Sequence, residues 1–141
     1  MARLLALDYG TKRVGVATTD LSQLIASPLT TVRTHELFAW LTHYLATEPV
    51  AALIVGRPRH LDGGPTDTTP HVVGLIRNLK KLFPALPVHE VDERFTSTIA
   101  HQTMLAGGLG RKARQDKALV DKISAAIILQ SFMESRAFLG G

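Results

Sequence analysis

An α/β fold, a mixed β-sheet with helices on both faces, is what this sequence of 141 residues predicts. Three observations carry the prediction. Leu4 to Leu7 and the Val14, Val16 pattern flank a polar turn, as in the two strands of a hairpin. The continuous apolar run Val50 to Val55 has the look of a strand covered on both faces, which is the pattern of a parallel sheet. From there on, helical and strand patterns alternate along the chain.

Taken in order, the first hairpin turns through Tyr9 to Arg13, and Pro28 to Val32 supplies a third, edge-like strand whose leading proline needs no ladder donor. A helix follows. Leu37, Leu41, Tyr44 and Leu45, joined by Phe38 and Trp40, fall at helical spacing behind a candidate cap at Thr34, with Pro49 beyond the end. The Val50 to Val55 strand stops at Gly56, and a polar loop runs from Arg57 to Pro65. Thr69-Pro70 opens a second helix, with Val73, Ile76, Leu79 and Phe83 on one face. Pro87 to Val91 is a further strand leading into Asp92-Glu93-Arg94. A helix from Thr96 to Ala106 is stopped by Gly107 to Gly110, and a last helix runs from Val120 to Ser135 with Ile123, Ala126, Ile127 and Met133 near one stripe. With no repeat or linker in it, the chain reads as one domain, residues 1–141.

Composition narrows the function without naming it. A hydrophobic content of 45% with 20% charged residues is ordinary for a globular chain and suggests neither a disordered nor a fibrous class. The net charge of +4 favours a polyanionic partner such as nucleic acid. The lack of cysteine removes disulfides, thiolate zinc sites and cysteine nucleophiles together. Neither a secretory signal nor an apolar run of the roughly 20 residues that span a bilayer is present, so a cytoplasmic protein with no membrane partner is expected.

Carboxylates are the chemically informative groups. Asp8 and the Asp92-Glu93 pair sit at the carboxyl ends of strands, where ligands gather in such sheets. Asp121, near the start of the last helix, can point to the same end if that helix crosses the first strand. Acidic groups drawn to one place repel unless cations neutralise them, and Mg²⁺ suits such oxygen ligands. A metal-dependent phosphodiesterase follows from that chemistry. Each residue also has a plain structural reading: a turn-closing Asp8, a surface Glu93-Arg94 pair, and an Asp121 that favours a helix N-terminus.

Four motifs in order then become specific: Leu7-Asp8-Tyr9-Gly10-Thr11-Lys12-Arg13-Val14-Gly15-Val16-Ala17, Val55-Gly56-Arg57-Pro58 with Asp62-Gly63, Asp92-Glu93-Arg94-Phe95-Thr96-Ser97, and Val120-Asp121-Lys122-Ile123-Ser124-Ala125. Across nearly the whole chain this resembles the YqgF family, also called RuvX or Holliday-junction-resolvase-like, which is associated with maturation of the 5′ end of the small-subunit ribosomal RNA precursor. The resemblance implies a ribonuclease H-like fold and a Mg²⁺-dependent nuclease, Mn²⁺ being the alternative ion. It places Asp8, Glu93 and Asp121 at the family's acidic, metal-holding and catalytic positions, with Asp92 beside them as a further candidate. Arg57, Arg59 and His60, together with Phe95 and Ser97, depart from the family pattern. A loop bearing two arginines can grip phosphate in its own way.

Basic residues near these motifs are candidate nucleic-acid contacts: Lys12 and Arg13 in the hairpin turn, Arg57 and Arg59 in the polar loop, and Arg111, Lys112 and Arg114 before the Asp121 helix. The same residues would also serve as solvated loop charges. Among the six histidines no compact zinc spacing occurs, and only His60 sits where it could touch substrate. Two rival functions stand against the nuclease. One is an actin-like ATPase or sugar kinase, whose first phosphate-binding hairpin Asp8-x-Gly10-Thr11 resembles, although 141 residues do not hold the second lobe such an enzyme needs. The other is a non-catalytic RNA-binding assembly factor, which would gain nothing from carboxylates beside phosphate. Ribosomal RNA precursor is the expected partner, a four-way DNA junction the alternative. A monomer is expected because the apolar stripes are accounted for by one core.

Overall fold

A computed structural model of the chain describes residues 1–57, 69–92 and 116–138. The described residues form a five-stranded sheet in the order β3-β2-β1-β4-β5: β1 is Arg3–Tyr9, β2 Arg13–Thr19, β3 Ala26–Arg33, β4 Val50–Arg57 and β5 Val88–Asp92. The first three strands form an antiparallel meander, whereas β4 runs parallel to β1 and β5 parallel to β4. Helices α1 (Leu37–Thr47) and α2 (Thr69–Leu82) cover one face, and α3 (Lys117–Phe138) covers the other. The mixed α/β sheet expected from the sequence is present.

Strand alternation sorts the core into two layers. Leu5 and Leu7 of β1, Val14 and Val16 of β2, and Leu53 and Val55 of β4 pack with Leu37 and Leu41 of α1 and with Val72, Leu75, Ile76 and Leu79 of α2. The alternate positions Leu4, Ala6, Ala17, Ala52 and Ile54 pack with Ala125, Ile128 and Leu129 of α3. Each fully buried leucine contributes about 1.5–3 kcal/mol, so the two-sided burial of β1 anchors the sheet. Small residues predominate beneath α3. That helix can therefore lie close to the strands, which matters for the site.

Several boundaries differ from the sequence reading for definable reasons. The edge strand β3 is longer than Pro28 to Val32, because a bulge between its pairing with Val16 and with Ala17 absorbs Leu29 and leaves Pro28 at an irregular position where proline is tolerated. Thr34 does not cap α1: its hydroxyl donates to the Gly10 carbonyl (2.7 Å), and a single 3-10 turn, Thr34–Glu36, precedes the helix. On α2 it is Val72, not Val73, that is fully buried with Ile76 and Leu79. On α3 the buried stripe is Ala125, Ile128 and Leu129; Ala126 and Met133 only flank it. The expected helix over 96–106 and its glycine stop at 107–110 lie outside the described residues.

The turn after β2 is held by one side chain. The Asp20 carboxylate accepts the backbone N–H groups of Ser22 (3.1 Å), Leu24 (2.9 Å) and Ile25 (2.8 Å). The Ile25 N–H is the largest of the influences that hold this carboxyl below its usual range. Because the folded-state value is the lower one, the stabilisation is complete above the ordinary value of 3.8 and is lost as pH falls through the depressed value. The Asp20→Asn protein should lose that part of the acid dependence of its melting temperature. An unchanged acid limb would show that the turn adds no stability.

Candidate active site

Every described element that bears a candidate functional residue reaches one edge of the sheet. The parallel strands β1, β4 and β5 end there, at Tyr9, Arg57 and Asp92. The β1–β2 turn lies there, closed by a hydrogen bond from Gly10 N to the Arg13 carbonyl (2.9 Å), and a Cβ at Gly10 would sit only 2.7 Å from that same oxygen. Since β3 is antiparallel to β2, it also ends there, with Arg33 opposite Arg13. The start of α3 is tied to this edge by the Thr31 hydroxyl, which donates to the Ala118 carbonyl.

Asp8 sits one residue before the end of β1 and pairs with Gly15 of β2. Directly paired residues share a face, and the Leu4, Ala6, Ala17 parity makes it the α3 face. At Gly15 the helix lies against the strand: a Cβ there would run into the Asp121 carbonyl and lie 2.9 Å from Lys122 N. The missing side chain at Gly15 thus lets the Asp121 peptide rest on β2. Asp8 and Asp121 consequently occupy the same face at the same end of the sheet, with only a glycine between them in register.

Asp121 is held in turn by Arg13, whose Nε donates to Oδ2 at 2.8 Å, with about a third of the arginine and a quarter of the aspartate side chain exposed (35% and 26%). The pair joins residues 108 positions apart in sequence. Arg13, expected to contact phosphate, has the Nε of its guanidinium against a candidate ligand. The reading of Asp121 as a helix-terminus charge loses its basis, because the helix begins at Lys117 and Asp116 caps it, accepting Ala118 N (3.1 Å) and Leu119 N (3.3 Å) at Oδ1. Asp121 lies beyond the first turn, where the dipole effect has faded. The sequence reading missed Asp116, although an aspartate immediately before the helical run is a recognisable cap signal.

Asp92 is a different case. Val88 packs with the α1/α2 layer and Val91 with the α3 layer, so Asp92 shares the parity of Val88 and falls on the face opposite Asp8. The further candidate Asp92 is therefore not brought to the side shared by Asp8 and Asp121. Lys12 is exposed in the turn, its carbonyl accepting Thr34 N (3.1 Å). Arg57 closes β4 and pairs with Asp92. Glu93, Arg59, His60, Arg111, Lys112 and Arg114 lie outside the described residues. Among the described residues no group of three His, Asp or Glu is assembled around a common point.

The family model described as "RuvX: Holliday junction resolvase" matches residues 2–135. The chain belongs to the RuvX family. A Bacteroides thetaiotaomicron protein named "Putative pre-16S rRNA nuclease" is 52% identical over 98% of this chain and 100% of its own length. A protein of the same name from Christiangramia forsetii is 52% identical over 94% of this chain and 98% of its own. Among solved structures, Thermus thermophilus RuvC in complex with a Holliday junction substrate superposes with a TM-score of 0.58 at 17% identity, covering 94% of this chain and 96% of that one. At that identity the likeness is one of fold, and it agrees with the ribonuclease H-like architecture of the RuvX sheet. RuvX membership supports a nuclease-type function in nucleic-acid processing. No described helix is long and apolar enough to cross a membrane.

Proposed function

We propose that this RuvX-family protein is a divalent-metal-dependent nuclease that hydrolyses phosphodiester bonds in the 5′-end maturation of the small-subunit ribosomal RNA precursor, acting as a one-domain cytoplasmic monomer. The observation that carries the proposal is the placement of Asp8 and Asp121 on one face at one sheet edge, with Arg13 holding Asp121. In this reading Asp8, Asp121 and Glu93 hold Mg²⁺, or Mn²⁺, and are the catalytic carboxylates. The donors fit a hard cation: they are carboxylate oxygens, and Asp121 already draws a positive group to itself. Bound there, the ion would supply a Lewis acid for the attacking water and for the leaving oxygen.

The chain's own residues do the rest. Arg13 fixes the rotamer of Asp121 through Oδ2, and among the described residues the other oxygen accepts no hydrogen bond, which leaves it for a ligand role. Support from hydrogen-bonded neighbours of this kind is what orients ligand carboxylates. Arg57 and Arg59 are assigned to phosphates near the scissile bond, Lys12 to a phosphate a short way along the chain, and Arg111, Lys112 and Arg114 to the backbone farther along. The relatives' name supports RNA as the substrate, whereas the description of the family model favours a DNA junction.

Side-by-side digestion of a structured ribosomal RNA precursor and a four-way DNA junction separates the two. RNA trimming in Mg²⁺, abolished by chelator, with the junction intact, is the expected result. A stable dimer that nicks the junction symmetrically and spares the RNA would reverse the substrate assignment, since paired nicks call for paired sites.

A further inference from the structure

Beside the carboxylate edge, at the end of β3, lies a concavity of about 670 Å³ to which the first motif contributes Thr11, Lys12 and Arg13 but whose β3 wall neither the candidate ligands nor the family's motifs account for. Its walls come from three segments: Thr11 to Arg13 of the first turn, Thr31 to His35 at and just beyond the end of β3, and Ala118 at the start of α3. These segments are fastened to one another. Thr31 donates to the Ala118 carbonyl, Thr34 N to the Lys12 carbonyl, and the Thr34 hydroxyl to the Gly10 carbonyl. The hollow therefore keeps its shape.

Its electrostatics are one-sided. Among the described residues no acidic side chain lines it, and its cations are unevenly satisfied. Arg13 and Arg33 are direct cross-strand partners, a position where like charges destabilise a sheet. Arg13 is neutralised by Asp121, but among the described residues neither Arg33 nor Lys12 has an ion pair. Both are exposed. Parity puts Arg33 with Arg13 and Thr31 on the α3 face, two strand spacings, or about 10 Å, from the line of β1 that carries Asp8. Two cations left without counter-charge in a rigid hollow next to a nuclease centre call for an anion held a short way along the substrate chain.

We infer that Lys12 and Arg33 form a backbone-phosphate subsite for single-stranded RNA that leaves the Asp8–Asp121 centre across the edge strand β3. The inference rests on the nuclease reading of that centre and adds the direction in which the strand runs. Arg33 is a substrate-positioning residue: it touches a phosphate remote from the scissile bond and no reacting atom.

The test measures binding of a fluorescein-labelled single-stranded RNA in the presence of chelator, so that no cleavage intervenes. Each of Lys12→Gln and Arg33→Gln should weaken binding about fivefold at 0.1 M salt and flatten the slope of log affinity against log salt by about 0.7, the double variant by about 1.4. Arg33→Lys should keep the slope, because the charge remains. Arg77→Gln, an exposed cation on α2 across the sheet, should change nothing. Wild-type affinity and slope in the double variant, losses as large in Arg77→Gln, or a wild-type protein that does not bind the RNA would each overturn the subsite. Cleavage of the RNA precursor by the wild-type protein in Mg²⁺ is scored separately. Losses of binding without any wild-type cleavage would retain the phosphate subsite and remove the nuclease reading; cleavage with unaltered binding in the double variant would do the reverse.

Discussion

Asp8→Asn should leave a folded protein whose Mg²⁺-dependent cleavage has fallen more than about 100-fold. Even the neighbours that merely orient a metal ligand cost about 10–100-fold when removed, so loss of a ligand charge should exceed that range. The fold should survive because Asp8 is only half-buried, lies at the end of β1 beyond the packed positions Leu4 to Leu7, and keeps its volume as Asn. Melting within about 4 °C of the wild type is expected. Affinity for RNA in chelator should hold or rise, since a negative charge beside phosphate is gone. Full Mg²⁺-stimulated activity in Asp8→Asn would remove the carboxylate assignment, whereas a large drop in melting temperature would make the residue structural.

The position of Asp8 was legible because it follows from local pattern: an apolar run, a strand end, a tight turn. The positions that complete the edge are set by contacts between residues far apart in sequence. Nothing in the order of residues shows that Arg13 meets Asp121, so Arg13 read as a phosphate contact and Asp121 as a possible helix-end charge. The two misplaced helix stripes have a common cause. On α2, Val72 and Val73 are adjacent and equally apolar, and on α3 the run from Ala125 to Leu129 is apolar on most sides, so periodicity does not select the face. The small residues of the strands make the choice, by letting Ala125, Ile128 and Leu129 settle onto Ala6 and Ala17. Thr34 shows the same limit: it has the chemistry of a cap, but the Gly10 carbonyl across the turn takes its hydroxyl.

Gly15→Ala should damage stability and activity together, although Gly15 carries no functional group. A Cβ at this position meets backbone, the Asp121 carbonyl and Lys122 N, and not the movable end of a side chain, so only displacement of α3 can relieve the overlap. The helix is pinned on either side of the contact, by Thr31 on Ala118 and by the burial of Ala125, Ile128 and Leu129. Overpacking of this kind costs about 1–3 kcal/mol, which should lower the melting temperature by at least about 3 °C, and Gly15→Val should cost more. Because the displaced peptide is that of Asp121 itself, the carboxylate moves away from Asp8 and from the Arg13 Nε. Cleavage should fall further than the lost stability explains when assayed well below the melting temperature, a positional error of about 1 Å being worth about 100-fold. A Gly15→Ala protein that melts and cleaves like the wild type would show that α3 does not rest on β2 at this point, and with that the shared placement of Asp8 and Asp121 would fall.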